Sequence, residues 1–179
     1  MIILVGASAS GKTEVAKLLK SNYGIKKVIT HTTRTIRINE VADVDYHFVS
    51  KEEFLKLKKD DAFVETTFYN GNYYGSSKKE IADNKVLIVD PAGLEAYLKL
   101  KDKRIVTFYL DANEDTRFKR MLQRGDKKEL AEGRIINDRE KFSADLKTKV
   151  NFVIDSEHND LETITKEVYD LYTNYLKNL

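Results

Sequence analysis

The run from Ile2 to Asn22, IILVGASASGKTEVAKLLKSN, constrains the fold more than any other part of the chain. Residues 2–5 are continuously apolar and read as a buried strand. "GASASGKT", Gly6 to Thr13, then matches the pattern G-x-x-x-x-G-K-[ST], and Val15, Leu18 and Leu19 share one face of the helix that follows. Strand, glycine-containing turn and helix, in that order, is the context that makes the pattern a phosphate-binding loop. The glycines let the backbone curl so that successive N–H groups face phosphate oxygens. Lys12 can reach the β- and γ-phosphates, and the Thr13 hydroxyl can ligate Mg²⁺. The expected ligand is a nucleoside triphosphate, held by Gly6, Ala7, Ser8, Ala9, Ser10, Gly11, Lys12 and Thr13.

A chain that opens this way continues as alternating strands and helices. "VLIVD" (86–90), "RIVTFYL" (104–110) and "VNFVID" (150–155) read as further strands. Leu161, Ile164, Val168, Leu171, Tyr172 and Tyr175 make the apolar stripe of a helix packed on a sheet. The expected class is α/β: a three-layer fold with a mostly parallel sheet covered by helices on both faces. Between residues 30 and 77 the rhythm breaks. "DYHFV", a short helix "KEEFLKLKK", and two strand-like runs around Asn70-Gly71-Asn72 predict a small antiparallel lobe inserted in the core. Pro91 is expected to end a strand. With 179 residues the chain fits one domain: a core at 1–30 and 84–179, the lobe at about 31–83, and a lid at about 120–140.

The lobe carries an odd stretch, "HTTRTIRINEVADVDYHF", with Arg34 and Arg37 three residues apart. Bidentate guanidinium groups suit a terminal phosphate monoester, so the pair fits a clamp for a second phosphorylated molecule. From the residues alone an exposed loop fits equally well. A second basic cluster runs through "RFKRMLQRGDKKELAEGRIINDRE", where Arg120 and Arg124 lie one helical turn apart and Arg134 follows. Arg117 and Arg139 in the same stretch read as solvated, as charges on a helix usually are.

Taken together these motifs resemble the guanylate kinase family. Its small lobe reads S-x-T-T-R-x-P-R-x-G-E-x-x-G-x-D-Y-x-F, and here "THTTRTIRINEVADVDYHF" stands in that place. The likeness continues through "FVE", "GNYYGS", "VDPAG" and "RMLQRG", from Gly6 to about Ser156. The resemblance implies that Arg34, Arg37, Tyr46 and Tyr74 hold the phosphate of GMP. It implies that Glu65 accepts hydrogen bonds from guanine, with Thr30 and Ser76 completing recognition of the base. A fixed carboxylate suits that role, since guanine offers donors at N1 and N2 whereas adenine presents a lone pair at the corresponding ring nitrogen. Asp90 resembles the family acid near Mg²⁺ and substrate; a turn aspartate at a strand end is the alternative. Arg120, Arg124 and Arg134 match lid arginines that contact ATP and the transferring group. Positive charge on equatorial oxygens is most of what phosphoryl transfer needs from a protein.

The implied reaction is ATP-dependent phosphorylation of GMP and dGMP with Mg²⁺, catalysed through Lys12, Arg34, Arg120, Arg124 and Arg134. The chain departs from the family pattern at Ile36, Asn39, Ile88, Ser156 and Ala9. Ile88 replaces an acid at the strand end, and Ser156 replaces an asparagine expected near adenine. One rival is a kinase on the same scaffold for another nucleotide or a phosphorylated ribose, which should lack Glu65 and Ser76. Another is a non-catalytic protein-binding module, which should have lost Lys12 and Thr13. A net charge of +2, from 31 basic and 29 acidic residues, argues against a nucleic-acid partner. Nothing approaches a membrane span or a signal peptide, and the absence of cysteine excludes disulfides and thiolate zinc sites. The three histidines lack metal-ligand spacing, and His31 reads as a loop residue. The economical compartment is the cytoplasm; oligomeric state is not legible.

Overall fold

The computed structural model describes all residues, Met1–Leu179. Along the chain lie β1 (Ile2–Val5), α1 (Lys12–Tyr23), β2 (Lys26–Lys27), β3 (Thr30–Thr32), β4 (Tyr46–Phe48), α2 (Lys51–Lys59), β5 (Phe63–Tyr69) and β6 (Asn72–Ser77). There follow β7 (Lys85–Ile88), α3 (Pro91–Lys99), β8 (Val106–Asp111), α4 (Glu114–Gln123), α5 (Lys128–Lys141), α6 (Asp145–Lys149), β9 (Phe152–Asp155) and α7 (Leu161–Lys177).

The core sheet has the order β2-β7-β1-β8-β9, with every pair parallel. Alternate residues of the central strand feed two separate cores, because side chains of a strand point to opposite faces. Ile2 and Leu4 join Val15, Leu19, Val168 and Tyr172 under α1 and α7. Met1, Ile3 and Val5 join Leu94, Tyr97 and Leu146 under α3 and α6. All four residues of β1 are buried, so the loop that follows starts from a strand fixed on both faces by the core. Pro91 does not end a strand: β7 stops at Ile88, and Pro91 occupies the first turn of α3 behind the cap Asp90. There its fixed φ suits a helix start and its missing N–H is no loss.

The lobe forms a second sheet of order β4-β3-β6-β5. Its β5–β6 hairpin turns at Asn70 and Gly71, both with positive φ (46° and 77°), the type I′ geometry that Asn-Gly favours. The expectation of an antiparallel lobe needs one correction, since β3 and β4 pair in parallel. The chain from Thr33 to Asp45 makes the crossover that parallel pairing requires, and this crossover carries Arg34 and Arg37. The outgoing and returning connections of the lobe run side by side. Ile29 N–H donates to Glu80 at 3.4 Å, and Glu80 also pairs with Lys85 at 2.7 Å. No helix is long and apolar enough to cross a membrane.

Candidate active site

The phosphate loop closes on itself. Gly6 has φ 151°, and a Cβ there would meet the Leu110 carbonyl oxygen at 2.6 Å, so nothing larger fits. Gly11 caps α1 at φ 96°. Between them Ala9 is held at φ 60°, a left-handed conformation in which its Cβ is strained. The Lys12 ammonium lies over this curl and donates to the carbonyls of Gly6 (2.6 Å) and Ala7 (2.8 Å). Burial pushes its pKa down to about 8; Asp138 opposes that shift and Arg117 adds to it. Ahead of the loop opens a cleft of about 560 Å³, lined by Ala9, Gly11, Lys12, Thr13, Arg120 and Arg124 together with Glu14, Asn159, Asp160 and Leu161. The residues at 159–161 carry no motif, so sequence reasoning passed over them.

Arg120 projects from α4 to the Ala9 carbonyl (3.4 Å) and the Ser156 carbonyl (2.6 Å). Ser156 is buried, and its hydroxyl turns inward to the Asp111 carbonyl at 2.9 Å. Arg124 and Arg134 are half-exposed and share the carboxylate of Asp126, at 2.6 and 3.1 Å. Arg139 is exposed and pairs with Glu114, but Arg117 is not solvated. It is buried against Asp138 at 2.9 Å, a partner 21 residues away on another helix.

In the lobe, Arg34 stacks near the rings of Tyr46 (5.4 Å) and Phe48 (5.8 Å) and pairs with Glu40 at 2.6 Å. The Glu40 carboxylate also accepts the Arg37 N–H at 2.8 Å and so bridges both halves of the expected clamp. The Arg37 side chain is exposed, and Tyr74 sits with its ring 6.3 Å from that of Tyr46. A register shift between Phe63 and Glu65 places Glu65 opposite Ser76. Bulges of this kind re-aim a side chain, and here the Ser76 hydroxyl donates to Glu65 at 2.6 Å. Burial raises the Glu65 pKa, the Ser76 hydrogen bond opposes this, and the nearby charge of Asp90 adds to it. Thr30 is half-buried on β3 beside the clamp. His31, expected in a loop, lies in β3 with its ring edge-on to that of Phe63, the ring centroids 5.2 Å apart.

Asp90 is exposed and gives Oδ1 to the Gly93 N–H at 2.8 Å. No cluster of three or more histidine, aspartate or glutamate side chains could hold a metal. The side chains of Thr13 and Asp90, the expected Mg²⁺ ligands, are both exposed and offer oxygen donors of the type this ion takes alongside its waters.

The family model described as guanylate kinase matches residues 1–175. The guanylate kinase of Fusobacterium nucleatum is 31% identical over 175 residues, 92% of this chain and 94% of that one. The Pseudomonas fluorescens guanylate kinase is 33% identical over 143 residues, 75% of this chain and 69% of that protein. The Schizosaccharomyces pombe guanylate kinase is 38% identical, over 61% of this chain and 56% of that protein. In fold the chain is similar to the crystal structure of guanylate kinase from Anaplasma phagocytophilum, with a TM-score of 0.63, 22% identity, and coverage of 97% of this chain and 84% of that one.

Proposed function

The chain belongs to the guanylate kinase family, and from that premise we propose that it transfers the γ-phosphoryl group of ATP to GMP and dGMP, forming ADP and the nucleoside diphosphate. The observation that carries the acceptor is Glu65. It is a half-buried carboxylate fixed by Ser76 in the lobe that also bears Arg34, on a chain with an intact phosphate loop. Neither rival is favoured, since Glu65, Ser76, Lys12 and Thr13 are all present.

The geometry supports the following roles. ATP lies in the cleft before α1, its phosphates facing the loop N–H groups and Lys12, which must leave the Gly6 and Ala7 carbonyls to reach them. The GMP phosphate competes with Glu40 for Arg34 and is completed by Arg37, Tyr46 and Tyr74. Thr30, in register with Tyr46 on the neighbouring strand, completes the base side with Glu65 and Ser76. The acceptor oxygen attacks the γ-phosphorus in line, while Arg120, Arg124 and Arg134 bring charge to the equatorial oxygens. For the two last, this means leaving Asp126. Mg²⁺, when bound near Thr13 and Asp90, neutralises phosphate charge.

We assign the core to 1–30 and 84–179, the acceptor lobe to about 31–83, the lid to about 120–140, and the reaction to the cytoplasm. A coupled assay of ADP release across nucleoside monophosphates tests the reading. GMP should be the best acceptor; a better turnover of AMP or CMP would replace it with the other-acceptor kinase.

A further inference from the structure

The phosphate loop is tied from behind by a buried ion pair that the reaction scheme does not use. Arg117 on α4 and Asp138 on α5 face each other with side chains only 6% and 9% exposed. Asp138 reaches past its partner: Oδ2 accepts the Ser8 N–H at 2.8 Å and Oδ1 accepts the Ser8 hydroxyl at 3.3 Å. Arg117 Nη1 donates to the Ser8 carbonyl at 3.3 Å, and its Nε donates to the Ala112 carbonyl at 3.2 Å. Every polar group of one loop residue is therefore held by one ion pair.

Burying two opposite charges is expensive, and a well-packed apolar pair would join two helices at less cost. An apolar pair could not bond Ser8. The position of the pair along its helices matters as well. Arg120 lies three residues beyond Arg117, and Arg134 lies four residues before Asp138, about one turn in each case. The two helices that carry these arginines are thus rooted in the same loop residue.

We propose that Arg117 and Asp138 are positioning residues that latch the phosphate loop at Ser8 to the roots of both lid helices, setting the loop's shape and the approach of Arg120 and Arg134 together. The proposal rests on the assignment of this loop to a nucleoside triphosphate. Neither residue touches substrate. With the Ser8 N–H turned to Asp138, the chain bends back at Ala9 through its left-handed φ; the Ser10 N–H returns to the Ala7 carbonyl at 3.3 Å, and the N–H groups of Gly11, Lys12 and Thr13 are left for phosphate. The acceptor lobe takes no part in the latch.

Two neutral double variants separate a latch from mere packing. Arg117→Gln with Asp138→Asn keeps a donor and an acceptor at both positions, whereas Arg117→Leu with Asp138→Leu keeps only volume. After their folding is checked by thermal denaturation, ATP affinity is measured by calorimetry and kcat and KM for GMP by coupled assay. The Leu pair should bind ATP about tenfold more weakly and turn over about tenfold more slowly, as expected for losing a charge-assisted hydrogen bond. Its KM for GMP should stay within about twofold, and the Gln/Asn pair should recover to within about threefold of wild type on both readouts. Equal ATP affinity and kcat in the two folded double variants would overturn the latch. Should the Leu pair fail to fold, Arg117→Gln with Asp138→Ala, which removes only the acceptor for Ser8, stands in the same comparison with the same outcomes. A wild type that binds ATP but phosphorylates another acceptor overturns the GMP assignment and leaves this comparison intact.

Discussion

The phosphate loop and the acceptor lobe hold their binding groups in opposite ways. The loop leaves a fully buried strand, folds Lys12 onto its own carbonyls, and is gripped at Ser8 by Arg117 and Asp138. Its backbone is shaped by folding, and only the Lys12 ammonium, bonded to two carbonyls, has partners to give up. The lobe keeps Arg34 in an ion pair with Glu40 and leaves Arg37 exposed, so an anion binding at Arg34 would have to exchange places with Glu40. Preformed geometry favours affinity, because little ordering remains to be done on binding. Exchangeable pairs favour discrimination, because only a ligand of matching charge can replace Glu40.

If that contrast is right, the largest effect comes from the preformed side. Lys12→Ala should lower kcat by about 10³ or more, on the scale of losing a transition-state cation, with an almost unchanged melting temperature. The pH profile sharpens the point. A lysine with its pKa lowered to about 8 is charged below that value and loses its proton above it, so kcat/KM for ATP should fall off near pH 8. Near-normal turnover of the variant would break the comparison at its root.

On the lobe side, Glu65→Gln removes one acceptor and presents a donor to the guanine edge. A buried unpaired donor costs on the order of 1–3 kcal/mol, so kcat/KM for GMP should drop about tenfold to a hundredfold. ATP affinity should hold, and AMP should not lose in parallel. Because burial raises the Glu65 pKa, this carboxyl takes up its proton at a higher pH than an ordinary glutamate, and wild-type GMP efficiency should fall on acidification correspondingly early. The variant should lose that acid limb. Arg34→Ala should weaken GMP about tenfold, as for a charge-assisted contact already half-satisfied by Glu40, with a much smaller change for ATP. Calorimetry showing equal losses for both nucleotides would erase the distinction between the regions. The smallest effect probes strain in the preformed loop. Ala9→Gly should raise stability by about 1 kcal/mol, read as a rise of about 2–4 °C in melting temperature.

How much of this was legible in the sequence follows the same division. The loop is contiguous, so strand, glycines, Lys12 and helix could be read as one phrase from Ile2 to Leu19. The core strands announced themselves by β-branched runs, and the β5–β6 hairpin by Asn70-Gly71. Parallel pairing of β3 with β4 was hidden, because three-residue strands carry no directional signal. Arg117 was misread for a related reason. A helix charge looks solvated unless its partner is known, and Asp138 lies in a different helix with no periodicity linking the two. Pro91 was assigned to the wrong element because a proline three residues past a strand is also the first turn of the next helix. Ala9 signalled only a departure from a pattern; its positive φ is a property of the closed loop, visible once Gly6 and Gly11 are in place.

The paired connections at Ile29 and Glu80 have a consequence for modularity. Two chain segments that leave and re-enter a domain side by side close a loop of any length across nearly the same short gap, and the entropy of closure grows only slowly with the length enclosed. The scaffold can therefore accept a longer or shorter insert at this neck, provided the packing of Val64 and Ile81 on the core beneath α3 is kept. What receives the phosphoryl group is in that sense a cartridge, and the part that supplies it is the socket.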